Sequence, residues 1–122
     1  MAEFSMKIAG HTAKVVSLFE STPQYFRPYL CDDSPEFTVS VTREKIDFEQ
    51  ADLLAEAHRD GFRPRVFTDP FLERAAIQRA FAEYLLPYSI LLFHGSAIAV
   101  DGEGYLFTAH SGTGKSTHTR LW

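Results

Sequence analysis

Eight consecutive residues, Ala109-His110-Ser111-Gly112-Thr113-Gly114-Lys115-Ser116, concentrate two glycines, a lysine and three hydroxyls directly behind a short apolar run. The spacing is a near match to the phosphate loop of nucleoside-triphosphate-binding proteins. Such a loop wraps backbone N–H groups around phosphate oxygens, sets a lysine ammonium beside them and presents a hydroxyl to Mg²⁺. It constrains the fold because a strand has to deliver the chain to the loop and a helix has to begin where the loop ends.

Each position has a physical reason. Gly112 and Gly114 can take positive φ and admit phosphate oxygens close to the backbone, while Ser111 and Thr113 supply N–H groups. Lys115 carries the charge for the terminal phosphates, Ser116 is the expected Mg²⁺ ligand, and Thr117 completes the nucleotide-contacting set. Ala109 stands where the full pattern has glycine. The implied cofactors are ATP and Mg²⁺. The plainer alternative is a glycine-rich turn with an exposed lysine.

The approach to the loop is informative too. Residues 90–93, 97–100 and 105–108 are short apolar runs, and Asp101-Gly102-Glu103-Gly104 separates the last two. A four-residue, glycine-containing connection between such runs predicts a β-hairpin. An ordinary P-loop protein leads into its loop from a parallel strand, so an antiparallel approach points to a different architecture.

The run from Phe93-His94-Gly95 through Asp101-Gly102 into Ser111-Gly112-Thr113-Gly114-Lys115-Ser116 resembles the catalytic domain of bacterial HPr kinase/phosphorylases, whose fold is related to the ATP-dependent phosphoenolpyruvate carboxykinases. The resemblance covers residues 91–117. It implies an α/β fold with a mixed, largely antiparallel sheet and flanking helices around a P-loop core, here incomplete. It also gives His94 a role near the nucleotide, bonding a phosphate or organising the loop, against a structural role closing a strand. His110 faces either phosphate or solvent. The family pattern has glutamate directly after the loop serine, where this chain has Thr117, which puts the family's metal arrangement in doubt. The acidic general base and acidic metal ligands that the resemblance implies would lie beyond Trp122. With residues 117–122 offering fewer than two helical turns, the chain reads as a fragment of a longer coding sequence.

Upstream, residues 4–8 alternate as a strand with one wet face, and residues 13–19 return as a second strand or a short buried helix. Thr22-Pro23 predicts a brief helix capped by the Thr22 hydroxyl. Phe37, Val39 and Val41 point one way along an amphipathic strand. Asp47 with Gln50 reads as a capping box opening a helix that exits at Gly61, with Phe48, Ala51, Leu54, Ala55 and His58 on its inner face and Glu49 wet. Residues 63–67 suggest a short strand. Asp69-Pro70 opens the longest helix, whose stripe is Leu72, Ala76, Ala80, Phe81, Tyr84 and Leu85, with Glu73 and Arg79 on the other side and Pro87 as its stop. The domain reading assigns residues 1–68 to an N-terminal α+β region or small cap, and 69–122 to the start of the nucleotide-binding core.

Composition narrows the partners. A formal charge of -4 gives no basic footprint for nucleic acid or anionic membrane. Cys31 is the single cysteine, so it has no disulfide partner within the chain and reads as a filler in the packing. The most apolar segment, residues 85–100, is interrupted by Pro87, His94 and Gly95 and is too short to span a membrane. A soluble, cytoplasmic protein is expected. Asp101 and Glu103 read as turn residues, not as bases.

The leading expectation is that the intact protein binds ATP-Mg²⁺ and transfers a phosphoryl group to a protein serine, a peptide or a small molecule, with Lys115 and, less directly, His94 as catalytic groups. The alternative is a non-catalytic nucleotide-sensing or protein-interaction domain. The chain by itself is expected not to turn over nucleotide, and homo-oligomerisation is left open.

Overall fold

The computed structural model describes residues 1–93, 95–109 and 112–121. The chain divides into two compact units, residues 1–90 and 91–122. The architecture is mixed α/β, with small, largely antiparallel sheets and flanking helices.

In the first unit, β1 (Ala2–Ile8) and β2 (His11–Ser17) form a hairpin in unbroken antiparallel register from Ala2 opposite Ser17 to Ile8 opposite His11. Ala9 and Gly10 close it with φ of 51° and 87°. Two left-handed residues match the twist of the strands they join. β3 (Phe37–Ser40) then adds in parallel to β2, giving the order β1-β2-β3. Residues 13–17 thus resolve as strand: Ala13, Val15 and Ser17 are fully buried at every second position, a period that a helix would not produce. As anticipated for residues 37–41, Val39 and Val41 are buried and Phe37 packs against the core.

One helical turn, α1 (Thr22–Tyr25), and a 3-10 turn over Arg27–Tyr29 lead to β3, and two long helices, α2 (Arg43–Arg59) and α3 (Asp69–Leu85), follow it. A 3-10 turn containing Pro87 ends α3. Met6, Val15, Phe26, Val39, Ile46, Leu72, Ile77, Phe81 and Leu85 form one buried cluster. A fully buried side chain of this kind stabilises by roughly 1.5–3 kcal/mol. The α3 stripe enters that same cluster, so the helix that the sequence groups with residues 69–122 belongs to the first unit.

Several local expectations are corrected. Helix α2 begins a turn earlier than Asp47, after Thr42, and Asp47 lies inside it as an i,i+4 partner of Arg43 at 3.8 Å. Its buried face carries Ile46 and Glu49, while Phe48 is exposed, because Arg79 of α3 offers Glu49 a two-pronged partner. The guanidinium reaches Glu49 at 2.6 and 3.1 Å and Asp52 at 2.5 Å, which holds the Arg79 pKa above its ordinary value, Glu49 being the largest cause. Glu73 is likewise buried instead of wet: its two carboxylate oxygens accept the Leu18 N–H and the Thr22 hydroxyl. The Thr22 hydroxyl therefore ties α1 to α3 and does not cap its own helix. Residues 63–67 form no strand, since the Gln50 side-chain amide supplies what a neighbouring strand would. It donates to the Arg65 carbonyl at 3.2 Å and accepts the Phe67 N–H at 2.8 Å.

A polar and aromatic cluster fastens the β1–β2 turn to β3 and the end of α3. His11 Nδ1 lies 2.8 Å from Glu36 Oε2, and Glu36 also accepts the Thr12 N–H at 3.1 Å. The bond to His11 first, then that to Thr12, lowers the Glu36 pKa. Tyr84 stacks on Phe37 at 3.6 Å with its hydroxyl 3.3 Å from that of Tyr88, and its pKa is pushed up to about 12, chiefly by that hydroxyl contact. Cys31 is half-buried and its N–H donates to the Ser5 carbonyl at 3.1 Å. No helix among the described residues is long and apolar enough to cross a membrane.

In the second unit, β4 (Ser96–Val100) and β5 (Glu103–Phe107) pair antiparallel from Ser96 opposite Phe107 to Val100 opposite Glu103. The expected hairpin is present, but its connection is two residues long, because Glu103 and Gly104 join the ladder. Asp101 and Gly102 make the turn with φ of 52° and 82°. Residues 90–93 form no strand. Helix α4 (Lys115–Thr119) follows the loop.

Candidate functional site

The candidate loop leaves β5 at Phe107 and enters α4 at Lys115. His94, His110, Ser111 and Trp122 lie outside the described residues, so the roles expected of His94, His110 and Ser111 have no structural counterpart here. Gly112 and Gly114 have φ of 85° and 88°. A methyl group added at either would meet no atom within 4 Å, so the demand for glycine is one of backbone conformation and not of space. Ala109 is not among the described residues with positive φ, so a side chain at that position meets no left-handed backbone.

Lys115, at the first turn of α4, is half-buried and folds back over the loop. Its Nζ donates to the Ala109 carbonyl at 2.8 Å. Ser116 and Thr117 are exposed on the same turn, and the Ser116 carbonyl accepts the Thr119 hydroxyl at 3.1 Å. The His118 ring packs edge-on against Phe107, with centroids 5.2 Å apart. Phe107, Ala109, Thr113, Gly114, Lys115 and His118 line an open concavity of about 470 Å³. Its walls combine a lysine ammonium, an imidazole and loop backbone, a donor set that suits an anion.

The structure therefore brings Thr113, Gly114 and Lys115 together on one concave surface, whereas Ser116 is exposed and does not line it. Two neighbours of the loop, Ser96 and His118, stand outside the phosphate-loop motif itself. Ser96 Oγ lies 3.3 Å from Ser116 Oγ. The signal for Ser96 was arithmetic: with Asp101-Gly102 as the turn, residue 96 pairs with residue 107, the last strand residue before the loop. His118 sits one helical turn beyond Gly114, where its N–H donates to the Gly114 carbonyl at 2.9 Å. Asp101 occupies the turn, as expected, whereas Glu103 lies on the first rung of the ladder and not in the turn.

Among the described residues, no three His, Cys, Asp or Glu side chains converge to hold a metal ion. Mg²⁺ bound with a nucleotide does not need such a group, since it takes phosphate and water oxygens with one or two protein oxygens. The Ser116 hydroxyl has the right chemistry for one of these. No protein family, curated protein or solved structure matches this chain at a significant level.

Proposed function

We propose that the segment from Phe107 to Thr117 holds the phosphates of ATP with Mg²⁺, and that the protein is a cytoplasmic phosphoryl transferase acting on a protein serine, a peptide or a small molecule. One observation carries the reading: Lys115 and Ser116 follow two left-handed glycines at the exit of a β-hairpin, with the lysine folded over the concave face of the loop. The resemblance of residues 91–117 to HPr kinase/phosphorylases agrees with it.

In this reading a phosphate oxygen takes the place that the Ala109 carbonyl holds on Lys115, and the ammonium offsets charge on the β- and γ-phosphates. Backbone N–H groups of residues 111–116 cradle the phosphates, and Ser116 Oγ offers one oxygen to the ion. Thr117, in place of the family's glutamate, favours a second reading: a nucleotide sensor that binds without turnover.

The test is calorimetric titration of ATP-Mg²⁺ into the wild-type protein and into Lys115→Ala. Wild-type binding that weakens about tenfold or more in the variant supports the assignment, as expected for a lost charge-assisted bond. Equal binding by both excludes it. Phosphate release or transfer by a binding-competent protein separates transferase from sensor.

A further inference from the structure

The Ser96–Ser116 contact joins the far end of the hairpin to the proposed ion ligand, and it arises from the register of the sheet. Ser96 is the first residue of β4 and pairs with Phe107, the last residue of β5. Just before it, Gly95 approaches β5 so closely that a Cβ there would stand 2.9 Å from the Phe107 carbonyl oxygen and 3.1 Å from Leu106 Cδ1. Only glycine permits that approach, and the approach fixes where the next residue lies. Half-buried Ser96 then meets the exposed Ser116 on the first turn of α4, hydroxyl to hydroxyl at 3.3 Å.

We propose that Ser96 is the positioning residue for Ser116: its hydroxyl accepts the Ser116 O–H, turning a lone pair of Ser116 Oγ outward toward the Mg²⁺ that accompanies the nucleotide. This inference rests on the phosphate-loop reading. A serine hydroxyl rotates freely about its Cβ–Oγ bond, and in water it has no preferred direction. A partner that accepts its proton commits the hydroxyl to a single orientation before the ion arrives, so less orientational freedom is lost on binding. The family pattern's glutamate after the loop serine is absent here, Thr117 standing in its place. The strand hydroxyl thus supplies, through Ser116, part of the ordering that a carboxylate would otherwise provide.

The role is distinct from general support of the loop because it concerns the ion and not the phosphates. The experiment is ATP titration of the wild-type protein, Ser96→Ala and Ser96→Thr, each with excess Mg²⁺ and again with EDTA. The expected result is that Ser96→Ala reduces the gain in ATP affinity conferred by Mg²⁺ by roughly three- to tenfold, the worth of one hydrogen bond. Its affinity in EDTA should equal that of wild type, and Ser96→Thr should keep the Mg²⁺ gain. An unchanged Mg²⁺ gain in Ser96→Ala overturns the proposal while leaving the phosphate-loop reading intact. Equal loss with and without Mg²⁺ also overturns it, since Ser96 would then support the loop as a whole. A wild-type protein that binds no ATP in either condition removes the reading on which the proposal stands.

Discussion

The Lys115 ammonium donates to the Ala109 carbonyl at 2.8 Å, so the cation of the loop is held by the residue at which the loop begins. The contact uses the main chain of Ala109, and its side chain has no part in it. Ala109→Gly, which restores the general pattern, should therefore change ATP-Mg²⁺ affinity by no more than about twofold, the range of a neutral surface substitution. A tenfold gain on titration would show that the methyl group obstructs the phosphates.

Buried Glu73 should dominate the stability of the first unit. Removing its carboxylate leaves the Leu18 N–H and the Thr22 hydroxyl without an acceptor and opens a cavity between α1 and α3. Glu73→Ala should cost about 3–5 kcal/mol in urea unfolding. Glu73→Gln should cost markedly less, since its carbonyl accepts the Leu18 N–H while its NH₂ donates to the Thr22 oxygen. Equal losses from the two substitutions would refute this account.

Arg79 is the partner of a carboxylate that is only 4% exposed, that of Glu49. Arg79→Ala strands that charge and should destabilise the protein by about 1–3 kcal/mol, less than a fully buried pair would cost because Arg79 itself is 40% exposed. The double variant Glu49→Leu, Arg79→Leu should recover most of the loss, because no charge is then left to desolvate at the buried Glu49 position. Unfolding midpoints of the three proteins decide the matter.

The cluster around His11 makes stability depend on pH at both ends of the scale. The Glu36 pKa is depressed from an ordinary 4.5, so its contribution is present above that value and is lost as pH falls through the folded-state pKa. The Tyr84 pKa is raised from 10.0 to about 12, so its contribution is present below 10.0 and is lost between there and about 12. Glu36→Gln should flatten the acid limb of an unfolding-midpoint profile and Tyr84→Phe the alkaline limb. A profile whose limbs are unchanged by these substitutions would place the pH dependence elsewhere.

What could be read in advance was whatever lies in local spacing. The β4–β5 hairpin, the glycine conformations of the loop and the α3 stripe follow from period and turn chemistry, and each is present. The burial of Glu49 and Glu73 depends on partners 30 and 51 residues away, Arg79 and Thr22, which helical periodicity does not register. Residues 63–67 have the composition of a strand, but the backbone partner of Arg65 and Phe67 is the Gln50 side chain. At the candidate site, Lys115 and Ser116 were legible from the motif, whereas Ser96 emerges only once the strands are set in register.

The close approach of Gly95 to Phe107 also bears on how the hairpin avoids pairing errors as it forms. A ladder shifted by two residues keeps every side chain on its original face, so hydrophobic pattern alone does not reject it. The true alignment is guarded at both ends. Slippage pulls Asp101-Gly102 out of the left-handed turn, and it also carries a residue with a Cβ into the 2.9 Å gap that glycine alone fits. The hairpin therefore proofreads its own alignment, and only the alignment that passes both checks delivers Ser96 to the loop.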